Sequence, residues 1–205
     1  RTFGHDIARS LAEYASIPVI NGLTDLEHPC QALADFLTIS EFKKNLKKLK
    51  LCYIGDGNNV THSLVLTAAK LGATMVVATP PGYKPAGSVF DRATEIAEES
   101  GATIQWTADP GEAVRDADMV YTDTWTSMGQ EAEAETRRRI FAPYQVNRGL
   151  FSMARPDALF MHCLPAHRNE EVTDEIIDSR NSVVFQEAEN RLHAQKAVMY
   201  EILHR

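Results

Sequence analysis

The 205-residue sequence predicts an α/β fold: a doubly wound parallel sheet with helices on both faces, preceded by the tail of a second α/β domain. Three observations carry this expectation. Short runs such as "LKLCYI", "ATMVVA" and "DMVY" are apolar at successive positions, the habit of strands buried on both faces of a parallel sheet. Stretches of helical spacing separate these runs, as parallel crossovers require. Glycine-rich or polar loops then follow the strands, where ligands of such sheets bind.

The elements follow in order. "RTFGHDIARSLAEYA" is an amphipathic helix that opens on Arg1 in mid-pattern, so the chain reads as a fragment of something longer, with no signal peptide. "IPVINGL" (17–23) reads as a short strand and turn. "HPCQALADFLTISEFKKNL" (28–46) reads as a long helix with Pro29 at its first turn. Strand "LKLCYIGDG", helix "NNVTHSLVLTAAKLG" with Gly72 as its stop, and strand "ATMVVATP" come next. They lead to helix "SVFDRATEIAEESG", strand "ATIQWTA", short helix "DPGEAVRDA" and strand "DMVYTDTW". Helical stretches at 130–142 and 144–153 precede strands "ALFMHCLP" (158–165) and "SVVFQ", and a helix at 187–204 closes the chain. Residues 1–27 thus form the tail of a preceding domain, and the 28–46 helix joins it to the main α/β domain.

Composition narrows the function. The chain is 44% hydrophobic and 24% charged, as ordinary globular domains are, and no apolar run approaches the roughly 20 residues of a membrane span. A net charge of −7 argues against a nucleic-acid partner. The basic run "KKNLKKLK" (43–50) reads as the solvated end of a helix. Three unpaired, widely spaced cysteines, Cys30, Cys52 and Cys163, point to a reducing compartment, the cytoplasm, rather than a disulfide scaffold.

Three loops carry the polar chemistry: "GDGNN" (55–59), "DTWTSMGQE" (123–131) and "HCLPAHR" (162–168). The fold expectation brings all three to one crevice at the carboxyl end of the sheet. "GDGNN" fails as a dinucleotide fingerprint, because Val60 stands at the last glycine place and the next strand ends without an acid. Asp123 and Ser127, with backbone N–H groups near a helix start, can hold a zwitterion, or equally form an ordinary helix cap. His28 and Gln31 share one helix face and can polarise a carbonyl oxygen, or serve as a cap and a half-buried histidine. "HCLPAHR" offers metal-ligand types, but strand alternation turns His162 and Cys163 to opposite faces, against a metal site or a local Cys–His dyad. Arg191, early in the last helix, is a surface ion pair or a group at the pocket mouth.

Taken together, "HPCQALAD", "GDGNN", "DTWTSMGQE", "HCLPAHR" and "EAENR" resemble the carbamoyltransferases in order and spacing over essentially the whole chain. "SMGQE" with "HCLP" is similar to the ornithine branch; the aspartate branch has neither. The resemblance implies transfer of a carbamoyl group from carbamoyl phosphate to the side-chain amine of L-ornithine, giving citrulline and phosphate, with no metal or organic cofactor. It implies that His28, Gln31, Cys163, Leu164 and Arg191 meet carbamoyl phosphate. Asn59, Asp123, Ser127 and Met128 would hold ornithine, and Cys163, Asp123 and His28 would be the catalytic groups, Cys163 as thiolate or hydrogen-bond partner. Residues 1–27 would then be a remnant of the carbamoyl-phosphate-binding domain, 28–46 an interdomain helix, 47–186 the ornithine-binding domain, and 187–205 a helix packing back toward the first. A homotrimer, or a multiple of it, is the implied assembly.

The family's Ser-Thr-Arg-Thr-Arg phosphate loop does not occur in these residues, and "ETRRRI" (135–140) reads as a helix on the wrong half. Little or no turnover by these 205 residues alone is the resulting expectation. The alternatives are a carbamoyltransferase for a related amine such as putrescine, a non-catalytic amino-acid-binding or assembly module, and, more remotely, a nicotinamide dehydrogenase.

Overall fold

A computed structural model describes residues 1–127 and 129–204; Met128 and Arg205 lie outside them. Helix α1 (His5–Tyr14) buries none of its residues, so Ile7, Leu11 and Tyr14 of its apolar face meet solvent. The 17–23 segment, expected as a strand, carries no regular secondary structure, and no strand among the described residues lies beside it. Helix α2 (Pro29–Phe42) follows, with proline at its first turn. It stops at Phe42 rather than 46, and Lys43 caps the junction by pairing with Asp157 at 2.7 Å.

From there strands and helices alternate: β1 (Lys50–Ile54), α3 (Asn59–Leu71), β2 (Thr74–Ala78), α4 (Gly87–Ser100), β3 (Thr103–Thr107), α5 (Pro110–Val114) and β4 (Met119–Thr122). Helices α6 (Ala134–Phe141) and α7 (Arg148–Phe151) are shorter than the spacing suggested. They lead to β5 (Leu159–His162), the single-turn α8 (Asp174–Ile177) and α9 (Val184–Leu203). "SVVFQ" is not a strand. Ser182 makes one isolated parallel bridge to Phe160, and α9 already begins at Val184, with Glu187 N–H bonded to the Val183 carbonyl.

The sheet has five parallel strands in the order β3-β2-β1-β4-β5. Alternation along each strand divides two apolar layers. Leu51, Tyr53, Met75, Val77, Met119, Tyr121 and Met161 pack with Phe36 and Ile39 of α2 and Leu64 and Ala68 of α3. Cys52, Ile54, Val76, Val120 and Phe160 pack on the other face with Val114 of α5 and Ile176 and Ile177 of α8. The helix ends fit the same frame: Asn58 caps α3 by accepting from the N–H groups of Val60 and Thr61, and Gly72 ends it at φ +74°.

Candidate functional site

The order of the strands decides where a pocket opens. β1 connects outward through β2 to β3, whereas the chain then crosses back to lay β4 on the other side of β1. The loops after β1 and β4 therefore diverge, leaving a crevice at the carboxyl ends of these strands. A cleft of about 1030 Å³ opens there. Asn59, Asp123, Ser127, Cys163, Leu164, His28, Gln31 and Arg191 all line it; Met128 lies outside the described residues.

The loop after β1 sets one wall. Gly57 N–H donates to the Tyr83 carbonyl at 2.9 Å, and a Cβ at Gly57 would fall 2.2 Å from the Pro85 nitrogen. Only glycine lets the 83–85 segment close over this turn. Asn58, already capping α3 through its side-chain oxygen, donates from Nδ2 to Asp123 Oδ2 at 2.7 Å. Asn59 Nδ2 is turned to the Thr24 carbonyl at 2.7 Å.

Asp123 stands at the centre. Its Oδ1 accepts from the Thr124 N–H at 2.8 Å and from the Cys163 thiol at 3.0 Å. Burial and the charge of Asp123 push the Cys163 thiol well above its ordinary pKa. The thiolate option of the sequence reading is thereby disfavoured; Cys163 is a protonated donor to the carboxylate.

His28 is only 8% exposed, and burial, reinforced by Arg191, lowers its pKa to about 4. It is a neutral imidazole near pH 7, with Nδ1 buried and unpartnered. Gln31 differs from its expected part. Its Nε2 donates inward, to Asp35 Oδ1 at 2.7 Å and Glu187 Oε1 at 3.1 Å, and its Oε1 accepts from Arg191. Two carboxyl acceptors and one guanidinium donor allow only this amide orientation. Gln31 thus presents an acceptor toward the cleft, so it does not polarise a carbonyl.

His162 and Cys163 do not diverge as strand alternation predicts. β5 ends at His162, and the chain turns so that ligand atoms of Asp123, His162 and Cys163 lie within 4.8 Å of one another. Both nitrogens of His162 are nevertheless occupied: Nδ1 accepts from the Leu164 N–H at 2.9 Å, which leaves Nε2–H to donate to Glu171 at 3.1 Å. His162 is a fully buried loop anchor, and Arg168 ties the same loop to Asp174 and Asp178.

"ETRRRI" also departs from expectation. Arg137, 3% exposed, lines the cleft and pairs with Asp56 and the Trp125 carbonyl, beside the ring of Tyr83. Despite this partner, burial raises Asp56 to about 6. Arg137, Asp56 and Lys84 were missed as cleft residues; Asp56 stands inside "GDGNN", but nothing local in "ETRRRI" marks Arg137 as the inward arginine.

An α/β domain whose switch-point cleft sets a thiol–carboxylate pair against a neutral imidazole, an amide oxygen and a guanidinium is one built for a small, charged, polar molecule. Comparison with known proteins narrows this. Residues 47–202 match the model "Aspartate/ornithine carbamoyltransferase, Asp/Orn binding domain", and residues 1–41 match "Aspartate/ornithine carbamoyltransferase, carbamoyl-P binding domain". The chain belongs to the aspartate/ornithine carbamoyltransferase family.

It is 62% identical to an ornithine carbamoyltransferase of Thermococcus kodakarensis, over 97% of this chain and 63% of that protein. It is 58% identical to one from Bacillus subtilis, over 100% of this chain and 64% of that protein. The solved ornithine carbamoyltransferase from Pyrococcus furiosus superposes with a TM-score of 0.94 at 60% identity, covering 97% of this chain and 64% of that chain. This chain thus spans 63% and 64% of the lengths of these two curated relatives. The match over 1–41 removes the support for the expectation of little turnover, since part of the carbamoyl-phosphate half is present.

Proposed function

We propose that this protein transfers the carbamoyl group of carbamoyl phosphate to the side-chain amine of L-ornithine, yielding citrulline and phosphate. The single observation that carries this reading is the Cys163–Asp123 hydrogen bond of 3.0 Å, set in the same cleft as His28, Gln31 and Arg191. The names of the relatives support it.

The chemistry follows from the groups. The incoming amine is a cation with a reference pKa of about 10.4, and it must lose a proton before attacking the carbonyl carbon. With the Cys163 thiol already protonated and donating to Asp123, the Asp123 carboxylate is the member of the pair that takes the amine's proton, and the thiol holds that carboxylate toward the amine. The neutral His28 ring offers one N–H to the carbonyl oxygen. Gln31 Oε1 accepts from the carbamoyl NH₂, and Arg191 faces the departing phosphate. The C–N bond forms as the C–O bond to phosphate breaks, and positioning and charge supply most of the rate. Asn59, Asp123, Ser127 and Met128 hold the amino-acid end, and Cys163 and Leu164 line the carbamoyl subsite.

No helix among the described residues is long and apolar enough to cross a membrane. We read the protein as a cytoplasmic enzyme working as a trimer or a multiple of it. We read residues 1–27 as a remnant of the carbamoyl-phosphate-binding domain and 28–46 as the joint to an ornithine-binding domain over 47–186.

Citrulline formation from carbamoyl phosphate tests the reading, with L-ornithine set beside putrescine. Cys163→Ala is expected to lower kcat by about 10²-fold or more, the scale of a removed proton-handling group. An unchanged rate removes that role, and preference for putrescine replaces the substrate.

A further inference from the structure

Behind Gln31, on the side away from the cleft, two carboxyl groups are buried together. Asp35 of α2 and Glu187 of α9 are both 0% exposed. They share the Gln31 Nε2 group as a donor, at 2.7 and 3.1 Å. Arg191, the nearest cation, is engaged by Gln31 Oε1 rather than by either carboxyl. The other polar groups facing the pair are Tyr121 of β4 and the backbone of His162, with Asp123 and Cys163 beyond them. Two like charges in this dry space without a cation in contact cannot both persist.

The donors are unevenly divided. Glu187 Oε1 accepts from Gln31 Nε2 and from the Tyr121 hydroxyl at 3.0 Å, and Oε2 accepts from the His162 N–H at 3.0 Å. Asp35 accepts from Gln31 alone, and its Oδ2 has no donor. Three donors stabilise an anion on Glu187, whereas the orphaned Asp35 Oδ2 is the natural seat for a proton. Burial raises both groups, and carboxyls this close titrate as a pair, so the donors around them decide which oxygen carries the proton.

We propose that Asp35 and Glu187 hold one proton between them, on Asp35, and that this pair positions Gln31, and through it Arg191, at the cleft. Neither is a catalytic residue; each acts through Gln31. The kinetic consequence rests on the carbamoyl-transfer reading, but the proton does not.

Substitutions separate the possibilities because amides mimic only one protonation state. Asp35→Asn reproduces a protonated Asp35: one oxygen for Gln31, one N–H toward Glu187. Glu187→Gln must turn an NH₂ against another donor, since three already point at it. Asp35→Asn is therefore expected to stay within about twofold of wild-type kcat/KM, while Asp35→Ala and Glu187→Gln lose about tenfold or more, the scale of buried polar groups left unpaired. The loss should fall chiefly on KM for carbamoyl phosphate.

Infrared difference spectra at pH 8 in D₂O, wild type minus Asp35→Asn, should show one protonated-carboxyl C=O band. Absence of that band overturns the proposal. So does an Asp35→Asn variant as impaired as Asp35→Ala, or a Glu187→Gln variant that is the tolerated one. Should even the wild type form no citrulline, the carbamoyl-transfer reading fails and the infrared band still decides the proton.

Discussion

Single residues in this protein take their chemistry from burial more than from type. His28 shows it most plainly: a histidine at about 4 in the fold and near 6.5 when unfolded binds its proton only in the unfolded chain between those values. Stability therefore falls as pH drops from 6.5 to 4, by up to about 3 kcal/mol from this residue. Urea unfolding of wild type and His28→Gln across that window should show a steeper decline for the wild type; parallel curves would contradict it. Arg137 is the opposite case, a buried charge held by a partner. Arg137→Met strands Asp56 and should cost about 3 kcal/mol at pH 8. Asp56, already raised to about 6, takes up a proton as pH falls, so the deficit measured by the same method should shrink by pH 5. A deficit independent of pH would show that Asp56 is not the group left uncompensated.

At the scale of elements, the two loops that shape the cleft depend on one backbone contact and one cap. In Gly57→Ala the new methyl would meet backbone of the 83–85 segment, which no rotamer can relieve. That loop should be displaced and ornithine binding weakened by calorimetry, with the sheet intact by circular dichroism. Asn58→Ala removes both a helix cap and a donor to Asp123. It should cost about 1 kcal/mol in stability, with a larger proportional effect on turnover than on unfolding. Elements were also where the sequence misled. "SVVFQ" has the β-branched composition of a strand, yet helix α9 begins within it, and from the first turns of that helix Glu187 meets Tyr121 and the end of β5. "IPVINGL" likewise has strand composition, but no strand among the described residues lies beside it to pair with.

For the whole molecule, the cleft exists because strand order reverses at β1 and β4, so its ligands should stabilise the fold as a unit. L-Ornithine at about 100 times its dissociation constant should add about 2.7 kcal/mol to unfolding. The accompanying rise in melting temperature should vanish in Asp123→Ala. A rise that survives this substitution would place the amino acid elsewhere.

The alternation of apolar runs with helical periods was enough to specify a parallel α/β sheet, because period and burial are local properties of the chain. The motifs also indicated which loops carry the chemistry, since those loops must follow the strands' carboxyl ends. Sequence alone could not say that Gln31 faces its NH₂ away from the cleft, that Cys163 is a thiol donating to Asp123, or that Arg137 turns inward. Those outcomes depend on partners 156, 40 and 81 residues away, Glu187, Asp123 and Asp56. Protonation and amide orientation follow from which donors and charges surround a group once water is excluded, and only the folded chain assembles that surrounding.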